Sequence, residues 1–249
     1  ALNHNQENEG SELIKKLFPY DQYLIKENQQ PIYMTKDHYC RNQILMIING
    51  LNIDHVRKSI IEKKEFIKNQ FFDQYYQRQK KYVLADKDEN KRKQKILEKN
   101  GWDFSIPWGW EMIINSPDSG FVWIGKEMPF QWISVSWDSG SYTGDELIAG
   151  QYIWNMPEKN YKNIRFNDYK LNLKRTEFLN YDAWLIEGLW ETINEVESKG
   201  GPFRSYLFYD QIKNNTYHIN MLIYHPGNNK SLYLRQMDII ARTFSFIDK

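Results

Sequence analysis

The sequence is nearly without cysteine: Cys40 is the only one in 249 residues. An internal disulfide is therefore excluded, which fits a reducing compartment and equally a bacterial envelope protein built without disulfides. A free cysteine in this context is expected to be buried and inert rather than nucleophilic. Long apolar runs are missing too; no stretch approaches the roughly 20 residues that a spanning helix needs. Charge of one sign is also missing. A net charge of +1 at pH 7 gives no overall basic face to exchange for the counterions of a nucleic acid, so no nucleic-acid partner is expected. No signal peptide is visible and the chain starts at Ala1 rather than Met, which reads as a trimmed or mature fragment.

The motifs that carry chemistry are equally sparse. The histidines are His4, His38, His55, His218 and His225. No two have zinc-helix spacing and no cysteine pair exists, so no metal is expected. His218 and His225, an odd number of residues apart around one strand, tend to face opposite sides. There is no Gly-x-Ser-x-Gly elbow and no phosphate-cradling glycine loop, so no cofactor and no catalytic residue are assigned. Paired carboxylates are the remaining enzymatic option, because glycosidase chemistry needs two of them across a cleft beside sugar-stacking aromatics. Glu111, Asp138, Asp145 and Glu146 are the candidates, near Trp108, Trp110, Trp123, Trp132 and Trp137. No spacing singles out a pair.

Aromatic residues are abundant. They make up 16% of the chain, with 9 Trp and 17 Tyr. Such side chains bury large areas and pair well across strands. Their distribution predicts a sizeable core with a real sheet component.

Along the chain, a short helix is expected from Glu12 to Phe18 and an extended piece around Pro31. The run Gln43 to Ile48 is nearly all apolar, which predicts a strand covered on both faces. Asn52 or Asp54 then opens a long helix in which Val56, Ile60, Ile67, Phe71 and Tyr75 recur at helical spacing. Residues 86–95 are highly charged and read as a solvated face or linker. Asn100-Gly101 reads as a helix C-cap.

From Trp102 the period changes to two. Strands are expected at Trp102–Ile106, Glu111–Asn115, Phe121–Gly125 and Gln131–Trp137, with one face packed and one partly wet. A short helix starts near Asp145 and Glu146, and residues 155–167 read as irregular. Strands follow at Lys170–Glu177, Ala183–Trp190, Phe203–Asp210 and Tyr217–Tyr224. A terminal helix, Ser231–Phe246, turns Leu232, Met237, Ile240, Ala241 and Phe244 inward. The fold class is α+β, with antiparallel sheet backed on one side by the long N-terminal helix and the C-terminal helix. A strand–helix–strand–strand pattern can be read twice, as in two ferredoxin-like halves. The division expected is a strand and long-helix region over residues 1–100 and a β-rich region over 101–249, or one continuous domain.

Several short motifs carry a family resemblance. They are Gly200-Gly201-Pro202-Phe203 before a strand ending in Asp210, and Tyr224-His225-Pro226-Gly227 before the helix that begins Lys230-Ser231-Leu232-Tyr233-Leu234-Arg235. Earlier pieces agree: Arg41-Asn42, Ile106-Pro107-Trp108-Gly109-Trp110 and Phe121-Val122-Trp123-Ile124. Together they resemble an uncharacterised family of bacterial envelope lipoproteins, domain of unknown function four-eight-three-seven, from about Arg41 to Phe246. The resemblance implies a periplasmic or outer-membrane-attached protein held by a lipid anchor that this chain lacks. It implies no activity. The expectation is a non-enzymatic domain that binds another envelope component, a protein or a glycan. A glycan- or peptidoglycan-active enzyme and a nucleic-acid-binding domain are the alternatives. The binding surface is expected at the loops holding Trp108, Trp110, Asp138 and Tyr142, and at the edge near Arg204 and His225.

Overall fold

The strand Asn215–Tyr224 is buried along almost its whole length, and the larger part of the chain is layered on its two faces. The structure, a computed structural model, describes residues 8–17, 29, 31–85, 97–193 and 198–247. The charged stretch at 86–95 lies outside the described residues. The chain divides into two compact units, Ala1–Gln79 and Lys80–Lys249.

In the first unit, α1 (Glu9–Leu17) precedes a hairpin of β1 (Ile32–Lys36) and β2 (Ile44–Ile48). Only Ile47 of β2 is fully buried. The apolar run therefore marks half-buried hairpin rather than the doubly covered strand expected, because β1 is its only strand neighbour among the described residues. The long helix is two helices, α2 (Ile53–Glu62) and α3 (Lys64–Val83), broken at Lys63. Asn52 caps α2, its side chain accepting from the His55 N–H. No residue of α3 is fully buried. Cys40 is exposed, not buried.

The second unit is built on a seven-stranded antiparallel sheet of order β4-β5-β6-β10-β9-β8-β7. Its strands are β4 (Glu111–Ser116), β5 (Phe121–Lys126), β6 (Phe130–Ser139), β7 (Ile164–Phe178), β8 (Tyr181–Thr192), β9 (Gly200–Asp210) and β10 (Asn215–Tyr224). The first three form a meander, the chain crosses over through a helix α4 (Glu146–Asn160), and the last four return so that β10 pairs with β6. The stretch expected as one strand over Trp102–Ile106 gives only β3 (Trp102–Asp103), paired with β11 (Ser245–Phe246). The terminal helix α5 spans Ser231–Ala241 and stops before Phe244. On β6 the face expected to be partly wet is covered: Ser134 and Ser136 are 1% and 2% exposed, whereas the edge strand β4 is mostly exposed.

Two side-chain layers explain this. One face carries Ile133, Val135, Tyr206, Phe208, Tyr217, Ile219 and Met221 against Met237 and Ile240 of α5. The other carries Phe203, Leu207, Leu222, Trp184 and Ile186 against Ala149, Ile153 and Met156 of α4. Helices thus back both faces rather than one. The first expected strand, β2, pairs in a separate two-stranded sheet, and the seven strands form one continuous layer rather than two ferredoxin-like halves.

Candidate functional site

The turn after β6 and the helix that follows it form a concavity of the second unit. Gly140 bends the backbone with a positive φ of 95°. The chain is tied down where Thr216 accepts from the Tyr142 N–H at 3.0 Å and donates to the Gly140 carbonyl at 2.7 Å. Asp145 then caps α4 by accepting from the Ile148 N–H at 2.8 Å. The helix so started lies across the sheet and leaves a cleft of about 360 Å³ along its side. Asp138, Tyr142, Gln151, Tyr152, Asn155 and Lys159 line it, with Ile148 and Met156.

Its walls differ in chemistry. Tyr142 and Tyr152 stack, ring centroids 5.0 Å apart, and give one aromatic side. Asp138 gives the polar side, accepting from the Tyr152 hydroxyl at 2.8 Å and from the Lys159 ammonium at 2.6 Å. Both ends of that ion pair reach solvent, so it contributes little to folding and can be exchanged for a ligand's hydroxyls. Burial first, then the charge and hydrogen bond of Asp138, push the Tyr152 phenol well above its ordinary range. Tyr152 is therefore a hydrogen-bonding neutral phenol, not a base.

Beneath α4 the sheet face turns polar. Tyr161, just past the helix, accepts from the Asn220 amide at 2.9 Å and pairs with the Ser134 hydroxyl. Burial outweighs those two bonds and raises the Tyr161 phenol to about 12. His218 lies fully buried beside them, its ring edge-on to Tyr152 at 6.4 Å. Burial alone lowers its pKa to about 3, so the imidazole is neutral.

The six residues expected at a binding surface fall in separate places. Asp138 and Tyr142 meet in the cleft. Trp108 is 60% exposed beside a second, smaller hollow that includes Lys126 and Gln131. Trp110, only 3% exposed, belongs to the core on the α5 side. Arg204 donates through Nε to Glu187 on β8 at 2.8 Å. His225 stands edge-on to Tyr233 at 5.4 Å. Of the four candidate carboxylates, Asp138 alone lines the cleft. Glu111 is out on the edge strand β4, Asp145 is engaged in its cap, and Glu146 lies in the first exposed turn of α4. Among the described residues no three His, Cys, Asp or Glu converge as a metal site, and no helix is long and apolar enough to cross a membrane.

Sequence reasoning missed Tyr152, Lys159 and His218 as neighbours of the cleft. The first two lie on the part of α4 read as a short helix followed by irregular chain. The recurrence of Ala149, Tyr152, Ile153 and Met156 at helical spacing is the signal that reveals it.

Among solved structures the chain is similar to the Ran-binding protein Mog1p of Saccharomyces cerevisiae, at 10% identity and a TM-score of 0.42, over 61% of this chain and 93% of that one. It is also similar to LpqN of Mycobacterium tuberculosis, involved in cell envelope biogenesis, at 12% identity and a TM-score of 0.36, over 59% and 83%. A protein of Bacteroides thetaiotaomicron matches at 10% identity and a TM-score of 0.34, over 60% and 46%. Likenesses this distant carry no argument about function. No curated protein matches the chain. Residues 88–243 match the family described as Domain of unknown function (DUF4837), a span that covers most of the second unit and leaves out Arg41-Asn42, and the chain belongs to that family.

Proposed function

We propose that this chain is a non-catalytic binding domain of the bacterial cell envelope that holds a sugar-sized glycan unit in the cleft beside α4. The observation that carries the reading is the pairing of a tyrosine wall with an exchangeable Asp138–Lys159 pair in one concavity. Aromatic rings accept the apolar face of a sugar, and a carboxylate with an ammonium accepts and donates to its hydroxyls. The volume, about 360 Å³, lies at the small end of ligand pockets, which suits one or two sugar rings rather than a protein loop. The envelope setting and the lipid anchor rest on the motifs shared with the lipoprotein family. A glycosidase reading has no support in the geometry, because among the described residues Asp138 has no second carboxylate across the cleft.

Calorimetric titration with the disaccharide of N-acetylglucosamine and N-acetylmuramic acid tests the binding. Saturable binding is expected, weakened about five- to tenfold in Tyr142→Ala with the circular dichroism spectrum unchanged. Equal responses from wild type and variant would overturn the site. Labelling of the full-length protein with radioactive palmitate in its own cells tests the setting. Unlabelled protein in the cytoplasmic fraction would remove the envelope assignment.

A further inference from the structure

Under α4 the sheet carries a polar island where a β-sheet core is ordinarily apolar. On β10, His218 stands opposite Ser136 of β6, and Asn220 stands between Ser134 of β6 and Ser205 of β9. Strand alternation places His218 and Asn220 on the face of Leu222, which packs in the α4-side core. His218, Asn220 and Ser205 are 0% exposed. Tyr161 satisfies Ser134 and the Asn220 amide nitrogen. Both ring nitrogens of His218, Asn220 Oδ1 and Ser205 Oγ have no hydrogen-bond partner among the described residues. Buried polar atoms in native proteins are nearly all paired, and each exception calls for a reason. Apolar side chains at these positions would continue the surrounding core without the desolvation penalty.

Tyr152 meets both the cleft, which it lines, and the island, through His218. Its ring faces His218 at 6.4 Å, and its hydroxyl reaches Asp138 on the cleft side at 2.8 Å. That bond ties the Tyr152 hydroxyl to the cleft wall.

We propose that the cleft has an inner compartment behind Tyr152, lined by His218, Asn220 and Ser205, and that it takes a neutral hydroxyl or acetamide group of the bound ligand. The inference rests on the reading of the outer cleft as a glycan site and adds what the ligand must carry. A neutral imidazole offers one donor and one acceptor, Asn220 Oδ1 an acceptor, and Ser205 either. That set complements a hydroxyl or acetamide, which also donates and accepts. It does not complement an ion, because a charge entering there would lose its hydration with no opposite charge to meet it. Tyr152 yields by exchanging its bond to Asp138 for one to the incoming ligand.

The probe is N,N′-diacetylchitobiose, a neutral disaccharide with hydroxyl and acetamide groups, added to the intact chain. Wild type is expected to bind it, and the His218 ring nitrogen resonances are expected to shift on binding. His218→Phe is expected to bind about fivefold more weakly while melting at a temperature about 3 °C higher, since an unpaired polar group has been replaced by an apolar one. Ser205→Ala is the second variant, in case the larger phenyl ring does not fit, and carries the same expected signs. Unchanged affinity in the variants, with His218 resonances unmoved in wild type, would overturn the inner compartment and leave the outer site standing if Tyr142→Ala still weakens binding. Wild type that does not bind the disaccharide at millimolar concentration would overturn both.

Discussion

At Gly201 a β-carbon would lie 2.0 Å from the carbonyl oxygen of Ile223. That carbonyl also accepts from the indole of Trp190 at 3.2 Å, so the glycine keeps open the place where β8 reaches β10 across the start of β9. Gly201→Ala is expected to destabilise the fold by about 2 kcal/mol or more, seen as a lower thermal midpoint; an unchanged midpoint would refute the close approach. Close approach, not left-handed backbone, is what requires the glycine, since neither Gly200 nor Gly201 has positive φ. His218 makes a second prediction. Its folded pKa of about 3 lies below the ordinary 6.5, so the unfolded chain takes up the proton first. Its contribution is fully present above about pH 6.5 and is lost as pH falls toward 3, on the order of a few kcal/mol. Asp103 acts in the opposite sense: burial raises its carboxyl from 3.8 to about 6, and its unfavourable contribution fades as pH falls through 6. His218→Phe is therefore expected to flatten the loss of stability between pH 6.5 and 4 in denaturant titrations. Equal acid sensitivity in both proteins would refute it. Asp138 and Tyr142 were expected on one surface because a polar turn after a strand is where binding side chains collect, and they line one concavity. The burial of Trp110 was not legible, since loop composition does not say which of two nearby tryptophans turns inward.

Helix α4 is the element on which the cleft depends. Its buried residues, Ala149, Ile153, Met156 and Pro157, seat it on the sheet, and its cap at Asp145 sets where it begins. Asp145→Ala is expected to cost about 1 kcal/mol and to weaken ligand binding, because Tyr152, Asn155 and Lys159 all ride on the helix. A variant of unchanged stability would show that the cap is not needed. The polar run from Asn155 and the internal Pro157 hid the second half of this helix from a reading by composition. The opposite occurs in α3, where Phe71 recurs at helical spacing with Ile67 and Tyr75 yet is 48% exposed; spacing reports amphipathicity, and burial needs a partner surface. At the C-terminus Phe244 is inward, as its spacing implied, but it is not helical. Thr243 donates to the Ile240 carbonyl at 2.6 Å and accepts from the Ser105 N–H at 2.8 Å, turning the chain so that β11 can meet β3. That long-range tie has no local sequence signal. Most strands of the main sheet, by contrast, were legible to within about three residues, because alternating aromatic and β-branched residues match the pleat; β7 instead starts at Ile164, inside the stretch expected to be irregular.

Across the whole molecule, stability is expected to be unevenly distributed. The second unit holds nearly all of the fully buried hydrophobic residues, in two layers on one sheet. Among the described residues, the first has a core of Ile14 and Ile47 with Leu17, Tyr33 and Leu45 against them, and a two-stranded hairpin with five-residue strands as its sheet. A hairpin of that size is marginal on its own in water, and local opening follows the density of buried contacts. Hydrogen exchange on the intact chain is expected to show the amides of β1 and β2 exchanging at least about 100-fold faster than those of β6, β9 and β10. Equal protection would mean that the two units unfold as one. The contrast bears on the site. Asp138, Tyr142 and α4 are fixed to the stable sheet through β6 and through Thr216 on β10, so opening of the hairpin alone leaves the cleft's geometry intact. Ligand added during the exchange experiment is therefore expected to slow exchange in α4 and the neighbouring part of β10 while leaving β1 and β2 unchanged. Protection that rose equally in both units would place the energetic consequence of binding outside the cleft.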